Sequence, residues 1–138
     1  MVETFEFTVN TKGFTDIINI SDKIFTFLDK SKINNGIALV HTPGSTVAIT
    51  TTEFEPGTQK DLKSFFQKII PEQAYYYHNE TWHDGNGYAH LRASLLKSNF
   101  SFPIINKKPI LGTWQQIILI DFDNTSRTRK IYLQIVGD

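Results

Sequence analysis

Between Trp114 and Val136 the chain has two apolar strands separated only by a short polar turn, and this spacing constrains the fold most. Ile117-Ile118-Leu119-Ile120 is apolar on both faces, as in a strand buried on two sides. Asp123-Asn124-Thr125-Ser126 follows as a hairpin turn, and Lys130 to Val136 closes the chain as a strand. A parallel pair needs a long crossover, usually a helix, and there is no room for one here. The final strands are therefore expected to pair antiparallel. That favours an α+β fold over a doubly wound parallel sheet.

The rest of the chain fills in the order. Phe5, Phe7 and Val9 alternate with polar residues and predict a first strand. Ile17, Ile20, Ile24, Phe27 and Leu28 recur at helical spacing and predict a helix from Asp16 to about Lys30, capped by Thr15 or Asp16. Ile37–Val40 and Val47–Thr52 read as strands, interrupted by Pro43-Gly44. Leu62, Phe65, Phe66, Ile69 and Ile70 mark a second helix, with Thr58 as its cap and Pro71 as its stop. The polar, glycine-punctuated stretch Asn79–Gly87 is too irregular for an element. Tyr88 to about Lys97 reads as a short third helix, Phe100–Ile105 as a strand and Asn106–Pro109 as a turn. No repeat or linker divides the sequence, so residues 1–138 read as a single domain.

Charge and cysteine usage exclude several classes. Lys and Arg together number 14, Asp and Glu 14, for a formal net charge of zero. Nucleic-acid binders depend on a basic face, so no nucleic-acid partner is expected. Cysteine is absent, which rules out disulfides and thiolate sites. The first residues lack a signal-peptide pattern and no apolar stretch is long enough to span a bilayer, which predicts a cytoplasmic protein without a membrane partner.

Chemistry concentrates in three places. His78, His83 and His90 fall close together with Glu80 and Asp84 between them. Imidazole and carboxylate suit a divalent metal, zinc or magnesium, although the spacing matches no known zinc signature; surface or hydrogen-bonded histidines would look the same. Asp84-Gly85-Asn86-Gly87 precedes a helix, where backbone N–H groups and the helix dipole could receive an anion, or where the residues simply turn and cap. Arg92, Arg127 and Arg129 offer bidentate forks for phosphate, or a solvated surface. Trp114 and Gln115 open the apolar strand with a pattern that is odd for packing alone. Pro43-Gly44-Ser45-Thr46 is a further small-residue break; no Gly-x-Ser-x-Gly elbow surrounds Ser45, so a hydrolase triad is rejected.

Taken in order, several segments resemble the YjbQ-like family, a group often labelled secondary thiamine-phosphate synthase enzymes. They are Thr42–Thr46, Glu53–Gly57, His78-Asn79-Glu80-Thr81-Trp82, Asp84–Gly87, His90-Leu91-Arg92-Ala93-Ser94-Leu95-Leu96, Leu111–Ile117 and Asp121–Asn124. The resemblance implies a mixed, largely antiparallel barrel-like sheet with two main helices and one short helix, assembled as a homotrimer. It implies a thiamine-phosphate synthase-like transferase, joining a pyrimidine diphosphate to a thiazole phosphate, in some members a side activity. Alternatives are a metal-dependent hydrolase of a small phosphorylated substrate and a non-catalytic phosphate- or small-molecule-binding trimer. His78, His90, Glu53 and Arg92 are the implied catalytic residues. Asp84, Gly85, Asn86, Gly87, Trp114 and Gln115 would bind substrate, and His78, His90 and His83 a metal. One departure stands out: many members carry His-Thr-Thr where this chain has Gly44-Ser45-Thr46. His41 lies three positions earlier, and the third ligand would fall to His83 or a carboxylate. From their placement, His78 and His90 are expected to converge on one polar cavity.

Overall fold

The computed structural model describes residues 1–138 and contains eight strands and four helices. In chain order these are β1 (Val2–Thr11), β2 (Asp16–Asn19), α1 (Ser21–Lys30), β3 (Gly36–His41), β4 (Val47–Thr52) and α2 (Pro56–Ile69). They continue with α3 (Tyr77–Trp82), α4 (Gly87–Leu96), β5 (Asn99–Ile105), β6 (Lys108–Pro109), β7 (Gln116–Asp121) and β8 (Arg127–Gly137). One sheet runs β1-β8-β3-β5-β6 and the other β2-β7-β4. Every ladder is antiparallel, and the sheets curl into a half-barrel, the α+β arrangement expected.

Strand β7 explains the two layers. Side chains of a strand alternate between faces. Ile117 and Leu119 enter a core with Ile24, Val40 and Leu133, while Ile118 and Ile120 enter a second core with Phe66, Tyr88 and Phe122. All four residues of the run are fully buried. The three-stranded sheet is thus a partition, with the large sheet and α1 on one side and α2 and α4 on the other.

Several local expectations are corrected. The helix predicted from Asp16 starts at Ser21, because Asp16–Asn19 is strand β2, with Ile17 opposite Ile120 and Ile18 opposite Leu119. Its β-branched residues fit the pleat, and Ile17 enters the second core while Ile20 and Ile24 enter the first, so their helical spacing is accidental. Neither Thr15 nor Asp16 caps α1, which has no side-chain cap. Helix α2 is capped by Glu55 rather than Thr58: its carboxylate accepts from the Gly57 N–H at 2.8 Å and from the Thr58 N–H. The stretch from Asn79 is not wholly irregular, since α3 covers Tyr77–Trp82 and ends on His83 in the left-handed conformation. Four helices therefore replace the three expected.

A further correction matters for the site. Asp123–Ser126 is not a hairpin, because β7 and β8 belong to different sheets. The segment carries the chain from one sheet to the other, and β8 pairs with β1 and β3 instead. The Gly13-Phe14-Thr15 turn, with φ of 74°, 54° and 63°, packs against this crossing. A Cβ on Gly13 would sit 2.6 Å from the carbonyl oxygens of both Asp123 and Thr125, so only glycine permits the approach. The turn at Asn106 is shorter than expected, because Lys108–Pro109 pairs with β5 as β6.

Candidate functional site

The crossing from β7 to β8 places two carboxylates under a polar cavity. Asp121 ends β7 with no exposure and Asp123 is 2% exposed. Buried carboxylates need partners. Arg129 gives Asp121 a two-pronged pair, Nε to Oδ2 at 2.7 Å and Nη2 to Oδ1 at 3.0 Å. Thr11 Oγ1 donates to Asp121 Oδ2 at 2.6 Å. Asp123 accepts from Arg127 Nε at 3.1 Å, Thr46 Oγ1 at 3.0 Å, Asn86 Nδ2 at 3.2 Å and the Asn124 N–H at 2.8 Å. Burial alone would raise the Asp123 carboxyl, but these donors and the Arg127 charge hold it below the usual carboxylate range.

From Asp123 the network runs to the histidines. The Asn86 amide gives its NH₂ to Asp123, so its oxygen faces His78 Nε2 at 3.1 Å and must accept from it. A neutral His78 therefore carries its proton on Nε2 and leaves Nδ1 as the free lone pair. Asp84 Oδ1 lies 3.5 Å from the same Nε2. The His78 and His90 rings lie against each other, centroids 4.2 Å apart. Burial lowers the pKa of His90, and the neighbouring His78 lowers it further; Asp84 and Asp123 oppose the shift without reversing it. His90 is thus held toward the neutral form.

These groups line one open cavity of about 390 Å³, bordered by Gly44, Ser45 and Thr46 on one side and by His78, Trp82, Asp84, Asn86 and His90 on the other, with Asp123, Arg127 and Arg129 at its base. The loop after α3 is pinned by Asn124 Nδ2 donating to the Asp84 carbonyl at 2.7 Å. Of the residues singled out from sequence, His78, His90, Asp84, Asn86, Arg127, Arg129 and the Gly44-Ser45-Thr46 break meet here.

The others do not. Glu53 is exposed beyond the end of β4 and borders no cavity residue set. His83, exposed at the C-cap of α3, is turned out of the cavity by its left-handed backbone. Arg92 is 1% exposed and inside the second core: it donates to the Ile70 carbonyl at 2.8 and 3.0 Å, to Thr15 Oγ1 at 2.8 Å and to Gln67 Oε1 at 3.1 Å. Trp114 is 72% exposed elsewhere, and Gln115 is spent on the Gly112 N–H and Thr51. Gly85 and Gly87 face neighbouring depressions, and the Gly87 N–H is already bonded to Asn79 Oδ1, so no backbone anion cradle forms. His41 sits on β3 opposite Tyr132 and does not border the cavity.

Asp123, Thr46 and the pair Arg127–Arg129 are the members that sequence reasoning undervalued. The signal was the alternation of arginines at the start of β8, two apart and so on one face, one short turn after an Asp-x-Asp. No three His, Asp or Glu side chains gather closely enough to hold an ion. A metal on His78 Nε2 would also have to displace the Asn86 contact.

The chain matches the description of the UPF0047 protein YjbQ-like family over residues 5–138. It is 33% identical to a UPF0047 protein of Methanocaldococcus jannaschii, covering 97% of this chain and 94% of that one. It is 31% identical to the UPF0047 protein YugU of Bacillus subtilis, covering 94% and 96%. A crystal structure of a YbjQ-like protein of unknown function from Sulfolobus solfataricus superposes with a TM-score of 0.90 at 28% identity, covering all of both chains. A hypothetical protein from Aeropyrum pernix K1 gives 0.91 at 28%, covering 99% of each. These comparisons give a family and no reaction. On the family match, the sequence identities and the shared fold together, the chain belongs to the UPF0047, YjbQ-like family.

Proposed function

We propose that the cavity binds a small phosphorylated molecule and that His78 and His90 move a proton on it. The observation that carries the reading is the contact of the two imidazoles, 4.2 Å apart, in a cavity floored by Arg127 and Arg129. Arg127 is half exposed, with only part of its guanidinium committed to Asp123, and a planar fork suits a phosphate. A neutral imidazole is the form that accepts a proton.

Within this reading, the reaction is the thiamine-phosphate synthase-like transfer that the resemblance implies. The bond from the pyrimidine methylene carbon to the diphosphate oxygen breaks, and its electron pair leaves on pyrophosphate. The thiazole nitrogen lone pair forms the new carbon–nitrogen bond. Arg127 and Arg129 would neutralise the leaving group, one imidazole of the pair would first take up a proton from solvent and then pass it to the departing pyrophosphate oxygen, and Trp82 on the rim would face the cationic ring. Magnesium, which is held by one or two carboxylates together with substrate phosphates, would find Asp84 at the rim. The test is rescue of a thiamine-requiring host that lacks its own synthase, paired with pyrophosphate release by the purified protein. Growth that is lost with His90→Gln supports the transferase. No rescue and no pyrophosphate, with phosphate still bound, would leave a binding protein instead.

A homotrimer belongs to the same proposal. Tyr75, Tyr77, Leu91 and Leu95 leave large apolar areas exposed on α3, α4 and the segment before them, between 50% and 79%. Such a surface marks an interface in a soluble chain. Light scattering should report three times the 15.8 kDa chain mass; a single-chain mass at micromolar concentration would refute it.

A further inference from the structure

The cavity does not end at His90. It continues into a second lobe of about 280 Å³, and Gly44, Ser45 and His90 border both parts. The two lobes differ in charge. The first holds two carboxylates and two arginines. The second has no carboxylate on its walls, and its one full charge is Lys97, beside Ser45, Ser94, Ser98 and Asn99. Lys97 is exposed and takes part in no ion pair.

The backbone at Lys97 is unusual. Its φ of 71° and ψ of 167° fall in a region that is nearly confined to glycine. Two hydrogen bonds impose the conformation: the Lys97 N–H donates to the Ala93 carbonyl at 2.8 Å, and the Ile49 N–H donates to the Lys97 carbonyl at 3.2 Å. Glycine would adopt it freely, and the exposed lysine side chain makes no buried contact to compensate. Ser94 Oγ is spent on the His90 carbonyl at 2.7 Å, while the hydroxyls of Ser45 and Ser98 are bonded to no protein group.

We infer that this second lobe is an anion subsite, in which Lys97 and the free hydroxyls of Ser45 and Ser98 hold a phosphate-type group, with His90 between it and the arginine lobe. The inference rests on the phosphate reading of the first lobe and extends it: the site takes two separated anionic groups. They could belong to one molecule with two phosphoryl ends or to two phosphorylated molecules bound side by side. A transferase with two phosphorylated substrates needs the second arrangement.

The test titrates inorganic phosphate into the full chain, followed by backbone amide chemical shifts in wild type, Lys97→Gly and Arg127→Ala. Wild type should show two sets of shifts, one around Thr46 and Arg127 and one around Ser94–Asn99. Lys97→Gly removes the charge and the strain together, so it should melt no earlier than wild type. It should keep the first set and weaken the second at least tenfold, while Lys97→Arg keeps both. A second set unchanged in Lys97→Gly, or absent from a wild type that shows the first, overturns the subsite. Loss of the first set alone counts against the arginine lobe and still supports this one. A propane-1,3-bisphosphate that binds tenfold tighter than phosphate, and loses that advantage in Lys97→Gly, assigns one bridging molecule; independent saturation by two phosphates assigns two.

Discussion

The ring centroids of His78 and His90 lie 4.2 Å apart, with the rings tilted by 50°, although eleven residues stand between them in the chain. Each sits in the first turn of a short helix, α3 or α4, and Asn79 Oδ1 ties the two helices by accepting from the Gly87 N–H. Two imidazoles this close cannot both charge cheaply. That contact adds to the burial that already disfavours a charged His90.

The first prediction follows for pH. A histidine in the unfolded chain titrates near pH 6.5. In the fold, burial and His78 push His90 below that value, so the unfolded chain binds the extra proton more readily. The stability that neutral His90 contributes is full above about pH 6.5 and is lost as pH falls through the lower folded value. Melting temperature should therefore fall as pH drops below about 6.5, and His90→Gln should flatten that decline. The Asp123 carboxylate, held low by its donors, loses its contribution only at more acid pH, so the two windows separate. An equally steep decline in His90→Gln would reject the assignment.

The second prediction concerns the foundation of the site. Asp121 is fully buried and Arg129 is its charge partner, with a side chain 10% exposed. Removing one partner of a buried pair leaves the other uncompensated and costs about 3–5 kcal/mol. Arg129→Met should lower the melting temperature by roughly 10 °C in a domain of this size. Asp121→Asn with Arg129 retained should do the same. A loss near zero for either would mean that the pair is solvated.

Arg92 gives a third, because its position reads as catalytic in the sequence and as core in the structure. Its guanidinium joins the end of α2 to α4 through the Ile70 carbonyl and is stacked near the Tyr88 ring at 5.0 Å. Arg92→Leu should cost about 3 kcal/mol, through polar partners left unpaired. Phosphate affinity per folded molecule should stay within a few-fold of wild type. A variant of normal stability that has lost phosphate binding would restore Arg92 to the site.

Period-two and helical patterns, read locally, were enough for β1, β3, β4, α2 and β5, and the twofold apolar face of β7 announced the partition between the cores. The strand β2 was hidden because Ile17 and Ile20 serve different cores at a spacing that mimics a helix. The pairing of β8 with β1 was invisible for another reason: the Val2–Val136 contact spans the whole chain, and a short polar turn before β8 looks like a hairpin. In the site, the histidine pair and Asp84-x-Asn86 were legible because polar residues cluster there without a packing purpose. Arg127 and Arg129 read as phosphate forks in the sequence but could not be told from solvated surface, since a surface arginine and one beside a buried carboxylate look alike until Asp121 and Asp123 are placed.

The last prediction turns on Gly44, where the family resemblance implies a histidine. Gly44 borders both lobes beside His90, and its φ is 156°. A Cβ there would lie 2.8 Å from Val47 Cγ1 and 3.1 Å from Arg129 Nη1, so a side chain can enter only if Val47 and Arg129 yield by a few tenths of an ångström. Such a side chain would stand at the wall that the two lobes share, which His90 also borders. Zinc in a catalytic site is held by three protein ligands, and this cavity presents two imidazoles. Gly44→His supplies a third at the shared wall of the two lobes. The variant should lose about 1 kcal/mol to strain. It should bind zinc at least a hundredfold more tightly than wild type, read by competition with a chelating dye, and adding His90→Gln should cancel the gain. Equal zinc affinity in wild type and Gly44→His would show that position 44 does not reach the histidine pair. The chemistry of the cavity would then be independent of which residue stands there.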